Sequence, residues 1–301
     1  MNETPSELDP TTKLRTTPLS KAKGKNAKIV SVNGVALHYI ERGQGAAVVF
    51  VHGGLGDLRT WGPQMGPFGE HYHAISYSRR GHYPNVWTGD YTKALMSEHV
   101  ADLAGVIEKL TPGRAHLVGN SYGAYVCLLL ALRRPSLVRA MVLAEPPVHP
   151  LLRRIPGGET LFEQFRAAAW GPAGRAFESG DLEQGVRLFI EGAVGKDAFD
   201  RLPPPVREAM MKNAPELGVA TLTEFHEHMP DFTCEDASRI EAPTLLLTGE
   251  LSPRMYHLIN AELARCMPNA EQTLIPAASH VLHSQNPEAH NEAALAFLAR
   301  H

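Results

Sequence analysis

From Arg114 to Arg133 the chain reads RAHLVGNSYGAYVCLLLALR. Arg114–Val118 is a short apolar run bounded by a glycine, which predicts a buried strand. Tyr122–Arg133 is long enough for a helix and stops ahead of Pro135, which cannot continue one. Between them lies Gly119-Asn120-Ser121-Tyr122-Gly123, so Ser121 stands on a sharp strand-to-helix turn. The two glycines keep side chains out of that turn. The helix start behind it offers unpaired N–H groups and the positive end of a dipole. A bare Gly-x-Ser-x-Gly is common by chance. The strand before it and the helix after it make Ser121 a candidate nucleophile.

The same alternation extends both ways. Ala46–Val51 is a continuous β-branched and aromatic run, which predicts a central strand buried on both faces. Upstream, Asn33-Gly34 predicts the turn of a hairpin leading into Val35–Ile40. Ala74–Tyr77, Leu137–Ala144, Thr244–Thr248 and Glu271–Ile275 read as further strands. Lys93–Leu110, Met255–Cys266 and Pro287–Arg300 read as helices. Strands alternating with helices predict an α/β fold, a mostly parallel sheet flanked by helices. From Pro146 to about Ile240 the rhythm breaks into helical stretches, prolines and glycines without a convincing strand. The expected organisation is therefore a flexible tail over residues 1–26, a core formed by 27–145 and 241–301, and a helical lid inserted at 146–240.

Two more loops fall at strand ends. His52-Gly53-Gly54-Leu55-Gly56-Asp57 follows the Ala46–Val51 strand. Its glycines let the backbone approach a bound oxygen, and the N–H groups of Gly54 and Tyr122 are expected to form an oxyanion hole. His52 lies ahead of the loop and suits a structural role. Pro276-Ala277-Ala278-Ser279-His280 follows the last strand and makes His280 the favoured base among 15 histidines, with His283 as its rival. His71-x-His73 and His226-x-His228 lack neighbouring cysteines or carboxylates at zinc-site spacing, so neither metal nor organic cofactor is expected.

The net charge of -3 gives no basic patch for nucleic acid or an anionic membrane. The apolar runs are too short to span a bilayer. The three cysteines, Cys127, Cys234 and Cys266, are scattered and odd in number. That argues against a disulfide framework and for a reducing compartment, hence a cytoplasmic protein. Cys127 lies in an apolar helical run and reads as packing. The inserted segment holds seven of the chain's ten phenylalanines (Phe162, Phe165, Phe177, Phe189, Phe199, Phe225, Phe232) and Trp170, but none of its eight tyrosines. Most of these rings are expected in the core. The excess of Phe over Tyr still points to an apolar cleft wall.

The order of His52-Gly53-Gly54, Gly119-x-Ser121-x-Gly123, inserted helices and late Ser279-His280 resembles the α/β-hydrolase family, from about Lys28 to the C-terminus. In Tyr77-Ser78-Arg79-Arg80-Gly81-His82, only Arg80 and Gly81 match the aspartate-x-arginine-glycine-x-glycine turn of many relatives; both are given a structural role. The resemblance implies a Ser–His–acid triad, but the usual acid position in Gly249-Glu250-Leu251-Ser252 is filled by Ser252, which carries no charge. Some relatives place the acid after the strand that follows the nucleophile helix. Here that is Glu145, the favoured acid, with Glu250 second. The implied activity is hydrolysis of a carboxylic ester or lactone with an apolar portion. Carbon–carbon bond hydrolysis, perhydrolase chemistry, or non-catalytic binding of a small ligand are the alternatives. Dehalogenase or epoxide-hydrolase chemistry is disfavoured, because those relatives carry an aspartate where Ser121 stands.

Overall fold

The computed structural model describes residues 27–85, 96–222 and 229–301. The proposed tail lies outside the described residues, as do Lys93–Leu95, Phe225, His226 and His228.

The fold starts with the expected hairpin. β1 (Lys28–Val32) pairs antiparallel with β2 (Val35–Arg42), with Val32 opposite Val35. Asn33 and Gly34 take φ of 45° and 77°, the double positive-φ conformation of the tightest hairpin turns. There follow β3 (Ala47–Val51), α1 (Gly62–Gly69), β4 (His73–Tyr77), α2 (Met96–Leu110), β5 (Ala115–Asn120), α3 (Tyr122–Arg133) and β6 (Val138–Ala144). After the inserted segment come β7 (Thr244–Gly249) and β8 (Ala270–Ile275), with helices between and after them. The eight strands lie in the order β1-β2-β4-β3-β5-β6-β7-β8. β4 pairs antiparallel with β2, and β4, β3, β5, β6, β7 and β8 run parallel. The chain thus moves outward from β3 in both directions. The crevice beyond the carboxyl ends of β3 and β5, where the order reverses, is the expected place for a ligand.

Strand β3 shows why the sheet is closed to water on both faces. Its residues are buried throughout, and the two-residue period of a strand splits them between two cores. Val49 and Val51 join Leu117, Leu143 and Leu246 beneath α2 and α3. Val48 and Phe50 join Val118, Val142 and Leu247 on the other face, with Trp61 and Phe68 of the α1 region. A run without polar alternation is what two-sided burial demands.

Between β6 and β7 the described residues are helical. They form α4 (His149–Leu152), α5 (Gly158–Phe165), a π-helical turn at Arg166–Trp170, α6 (Gly171–Glu178), α7 (Leu182–Val194), α8 (Ala198–Arg201), α9 (Pro204–Met211), α10 (Ala214–Leu222) and α11 (Cys234–Ser238). Their phenylalanines divide by packing partner. Phe162, Phe165 and Phe232 belong to the main core. Phe177 and Phe199 close a separate cluster with Val186, Ile190 and Leu217. Phe189 and Trp170 are half-buried. The remaining helices are α12 (Arg254–Cys266), α13 (Leu282–Gln285) and α14 (Pro287–Leu298). No helix among the described residues is long and apolar enough to cross a membrane.

One expectation fails. Cys234 and Cys266 form a disulfide, with Cα atoms 5.2 Å apart. Their separation of 32 residues hid the pairing, which arises only because α11 packs on α12. Cys127 is free and buried, as its apolar surroundings suggested. Closing a loop of this length removes enough unfolded-chain entropy to stabilise the fold by about 4 kcal/mol. Thiol titration of unfolded, unreduced protein should therefore find one free thiol, and reduction should raise the count to three while lowering the thermal midpoint. Three thiols before reduction would show that the bridge is not formed.

Candidate active site

Ser121 links β5 to α3 at φ 51° and ψ -125°, a strained conformation for a residue with a Cβ. The turn can form because its glycines are pressed against backbone. A Cβ on Gly119 would lie 2.7 Å from Ala124 Cα, and one on Gly123 would lie 2.2 Å from Val51 O and 2.5 Å from His52 O. The start of α3 therefore packs directly on the carboxyl end of β3. Ser121 N–H donates to Ala144 O at 2.8 Å, which ties the turn to β6 on its other side.

His280 lies in the loop between β8 and α13. Its Nε2 is 2.9 Å from Ser121 Oγ, and its Nδ1 is 2.7 Å from Glu145 Oε2. The carboxylate accepts at Nδ1, so Nδ1 carries the ring proton and Nε2 is left to accept from the serine hydroxyl. Two further contacts hold the imidazole. Tyr256 of α12 stacks on it, with ring centroids 4.3 Å apart, and Asn120 Nδ2 donates to His280 O at 3.2 Å.

Glu145 follows the last residue of β6 and is fully buried. Burying a carboxylate is costly unless it is well bonded. Its Oε1 accepts from Gly249 N–H at 2.8 Å and from the Ser252 hydroxyl, while Oε2 faces His280. Ser252, at the position where the family resemblance implied an aspartate, donates here to the Glu145 carboxylate at the end of β6. A residue before a proline, as Glu145 is before Pro146, ordinarily takes an extended backbone. Instead Glu145 takes φ 49°, a left-handed conformation that costs roughly 1–3 kcal/mol and turns the carboxylate toward the histidine loop. Glu250 is exposed and accepts from Ala277 N–H at 2.9 Å, which braces the turn ahead of His280.

The Gly54 N–H and Tyr122 N–H belong to the two segments that meet where Gly123 packs on β3. Among the described residues, neither N–H is taken up by a backbone carbonyl. His52 is engaged elsewhere: its Nε2 accepts from Arg79 N–H at 2.9 Å and its Nδ1 is 2.8 Å from Gly53 O. Burial, with His82 and Arg79 beside it, holds its pKa well below the usual histidine value. His283 is buried against Trp61, and burial together with His290 and His280 pushes its pKa down to about 3. The structure thus brings Ser121, His280 and Glu145 into one hydrogen-bonded line and leaves out Glu250, His52 and His283.

No sequence signal pointed to Tyr256 or to a buried polar cluster behind the Gly54 loop. There Arg79 lies 3.4 Å from Glu216 of α10, and both are almost wholly buried. His99 Nε2 is 3.1 Å from Arg79 Nη1. Burial raises the pKa of Glu216, but His82 and Arg79 outweigh it and hold the carboxyl well below its usual range. Arg80 forks onto Asp102 at 2.6 and 2.7 Å, and Gly81 takes φ 77°. One group of potential metal-ligand atoms is present among the described residues, Cys234, Glu262 and Cys266, but its sulfurs are consumed by the disulfide. His71 is exposed, and His73 Nε2 is paired with Glu41 Oε2 at 3.0 Å.

A profile of the alpha/beta hydrolase family matches residues 48–293. The chain belongs to that family. It is 25% identical over 268 residues to the (E)-2-((N-methylformamido)methylene)succinate hydrolase of Acinetobacter baylyi, covering 88% of this chain and 95% of that one. An esterase of Mycobacterium tuberculosis is 26% identical over 283 residues, covering 88% of this chain and 90% of that one. Among solved structures, Est816, described as an N-acyl homoserine lactone degrading enzyme, superposes with a TM-score of 0.71 at 25% identity, covering 90% of this chain and all of that one. The enol-lactonase of Burkholderia xenovorans LB400 shares the fold, with a TM-score of 0.72 at 18% identity over 90% of this chain and 100% of that one. Family membership makes the protein a hydrolase of this fold.

The geometry at His280 Nδ1 distinguishes the two candidate acids. Glu145→Gln should lower turnover of p-nitrophenyl acetate by about three to four orders of magnitude, since an amide holds the imidazole in the wrong tautomer. Glu250→Gln should stay within about tenfold of wild type, because it loses only a loop contact. Both should keep the wild-type circular dichroism spectrum. The reverse ranking would move the acid to Glu250.

Proposed function

We propose that the protein is a serine hydrolase that cleaves a carboxylic ester or lactone with an apolar portion through an acyl-enzyme. The observation that carries this reading is the line Ser121 Oγ, His280 Nε2, His280 Nδ1, Glu145 Oε2, with its two steps of 2.9 and 2.7 Å. A hydroxyl is a poor nucleophile until a base takes its proton, and a neutral imidazole in the Nδ1–H tautomer is placed to do so. Ser121 Oγ attacks the carbonyl carbon while His280 Nε2 takes its proton. The carbonyl oxygen becomes an oxyanion and is held by the N–H groups of Gly54 and Tyr122. Collapse breaks the bond to the leaving group, and His280 returns the proton to the departing oxygen. Water repeats the sequence on the acyl-enzyme, with His280 as base and Ser121 as the leaving group. Glu145 stays ionised and stabilises the transient imidazolium.

The helical insert supports an apolar substrate. In this reading it is a lid, and its aromatic layer begins at His149, the ring of the insert that neighbours His280. His149 packs on Phe165 at 5.0 Å between centroids. Burial and neighbouring His280 push the His149 pKa to about 3, so the ring adds no charge near neutral pH. Trp170 and Phe189 extend the aromatic layer, at 6.2 Å from each other. Two of the similar proteins carry esterase or lactone-degrading descriptions, which fits acyl transfer.

Ser121→Ala is expected to reduce turnover by about three orders of magnitude or more. A fluorophosphonate probe should label wild type once per chain, at Ser121. Near-normal esterase activity in the alanine variant would sink the mechanism. A panel of p-nitrophenyl esters, lactones and dienol diketones then assigns the bond; turnover of the diketones alone would replace ester cleavage by carbon–carbon cleavage. Trp170→Ala should change the preference between acetate and longer acyl esters, whereas an equal effect on both would make that ring part of the core only.

A further inference from the structure

The peptide joining Gly53 to Gly54 is trans, so its C=O and its N–H point in opposite directions. Whatever holds the carbonyl also aims the N–H. Packing does not hold it from the front, since a Cβ built on Gly54 would meet no atom within 4 Å. Two successive glycines also leave the peptide free to rotate. The restraint comes from behind. Gly53 O accepts from Gly56 N–H at 3.2 Å, from His52 Nδ1 at 2.8 Å and from Arg79 Nη2 at 3.2 Å. Arg79 Nε donates to the preceding carbonyl, His52 O, at 3.2 Å. One guanidinium therefore grips two consecutive carbonyls of the loop. The same guanidinium lies 4.6 Å from the centre of the Tyr122 ring, beneath the residue that supplies the second N–H.

Arg79 is only 1% exposed, and its remaining nitrogen faces Glu216 of α10 at 3.4 Å. The insert is anchored to this loop by more than charge. Asn213 Nδ2 donates to Leu55 O at 3.2 Å and to Asp57 Oδ2 at 3.1 Å. Building on the proposed acyl transfer, we infer that Arg79 is the positioning residue of the oxyanion hole. Its fork fixes the Gly53–Gly54 peptide and backs Tyr122, and Glu216 is the counter-ion through which the insert keeps that fork in place. The hole is complete only when the insert is docked.

The test compares p-nitrophenyl acetate with its thionoester, in which the oxyanion is replaced by a sulfur that accepts hydrogen bonds poorly. The ratio of the two kcat/KM values reads the alignment of the donors. A structural role for Arg79 would lower both values together and leave the ratio unchanged. Arg79→Gln alone removes the guanidinium from a buried Glu216 and leaves only His82 and His99 beside it, so the charge-balanced double variant Arg79→Gln/Glu216→Gln is the main probe. Arg79→Lys, which keeps the charge without the fork, is the second. In both, kcat on the oxo ester should fall by about 10²–10³, the effect of losing one oxyanion donor, with KM within about threefold. The oxo-over-thiono ratio should collapse at least about tenfold, since the lost donor serves oxygen far better than sulfur. Either variant, folded by circular dichroism and keeping the wild-type ratio, overturns the inference. A wild-type protein that is labelled at Ser121 yet shows no oxo preference overturns it as well. Failure of Ser121 to label at all instead overturns the acyl-transfer reading on which it rests.

Discussion

Glu145 is a carboxylate with no exposure to water, in a left-handed backbone conformation, at the end of a strand in the middle of the sheet. Such a group is tolerated only if the fold supplies what water would have given it. The fold does so from three separate segments: the β7 end through Gly249, the following turn through Ser252, and the β8–α13 loop through His280. The strand order puts those segments side by side, because β6, β7 and β8 are parallel neighbours and all their carboxyl ends face the same crevice. The demand of one buried charge thereby fixes the orientation of the histidine, and through it the environment of Ser121.

A second constraint is purely steric. Gly123 brings α3 onto the last carbonyls of β3, closer than any side chain allows. That contact sets the nucleophile turn and the glycine loop next to each other. Neither the loop nor the turn is rigid by composition, and both are held from behind. Asp57 takes a two-pronged hydrogen bond from Arg59, and Arg79 grips the His52 and Gly53 carbonyls. The flexible front of the site is thus backed by buried charge pairs. The Arg79–Glu216 pair joins the sheet to the insert. Losing one member of such a pair typically costs about 3–5 kcal/mol, a large share of the stability of most domains.

Much of the fold was legible because its signals are local. The Ala46–Val51 run, the Asn33-Gly34 turn and the strand–turn–helix frame around Ser121 each involve at most about twenty consecutive residues, the range over which periodicity and turn chemistry act. Glu145 came from the family resemblance, which allows an acid at the end of the strand after the nucleophile helix and left Glu250 as second choice; its contact with His280 Nδ1 is what the structure adds. Tyr256, Arg79 and Glu216 left no such trace. A tyrosine in an amphipathic helix, the first arginine of an Arg-Arg pair and a glutamate in the helices between β6 and β7 look the same whether they line a site or a surface.

The sequence by itself determined the order of strands and helices and the helical stretch between β6 and β7, and period, turn chemistry and position at strand ends marked Ser121 and His280 as the residues to watch, with Glu145 added by the family resemblance. Only the tertiary structure decided which partners those residues have. It turned Ser252 from a missing acid into a hydrogen-bond donor, sent Glu250 to brace a loop, stacked Tyr256 on the imidazole and placed Arg79 against Glu216. It also joined Cys234 to Cys266, where scattered spacing had suggested no disulfide framework. Each of these contacts joins segments distant in sequence whose meeting depends on how sheet and helices pack. A one-dimensional pattern carries no record of which distant side chains will share a buried volume, and burial is what obliges polar groups there to find one another.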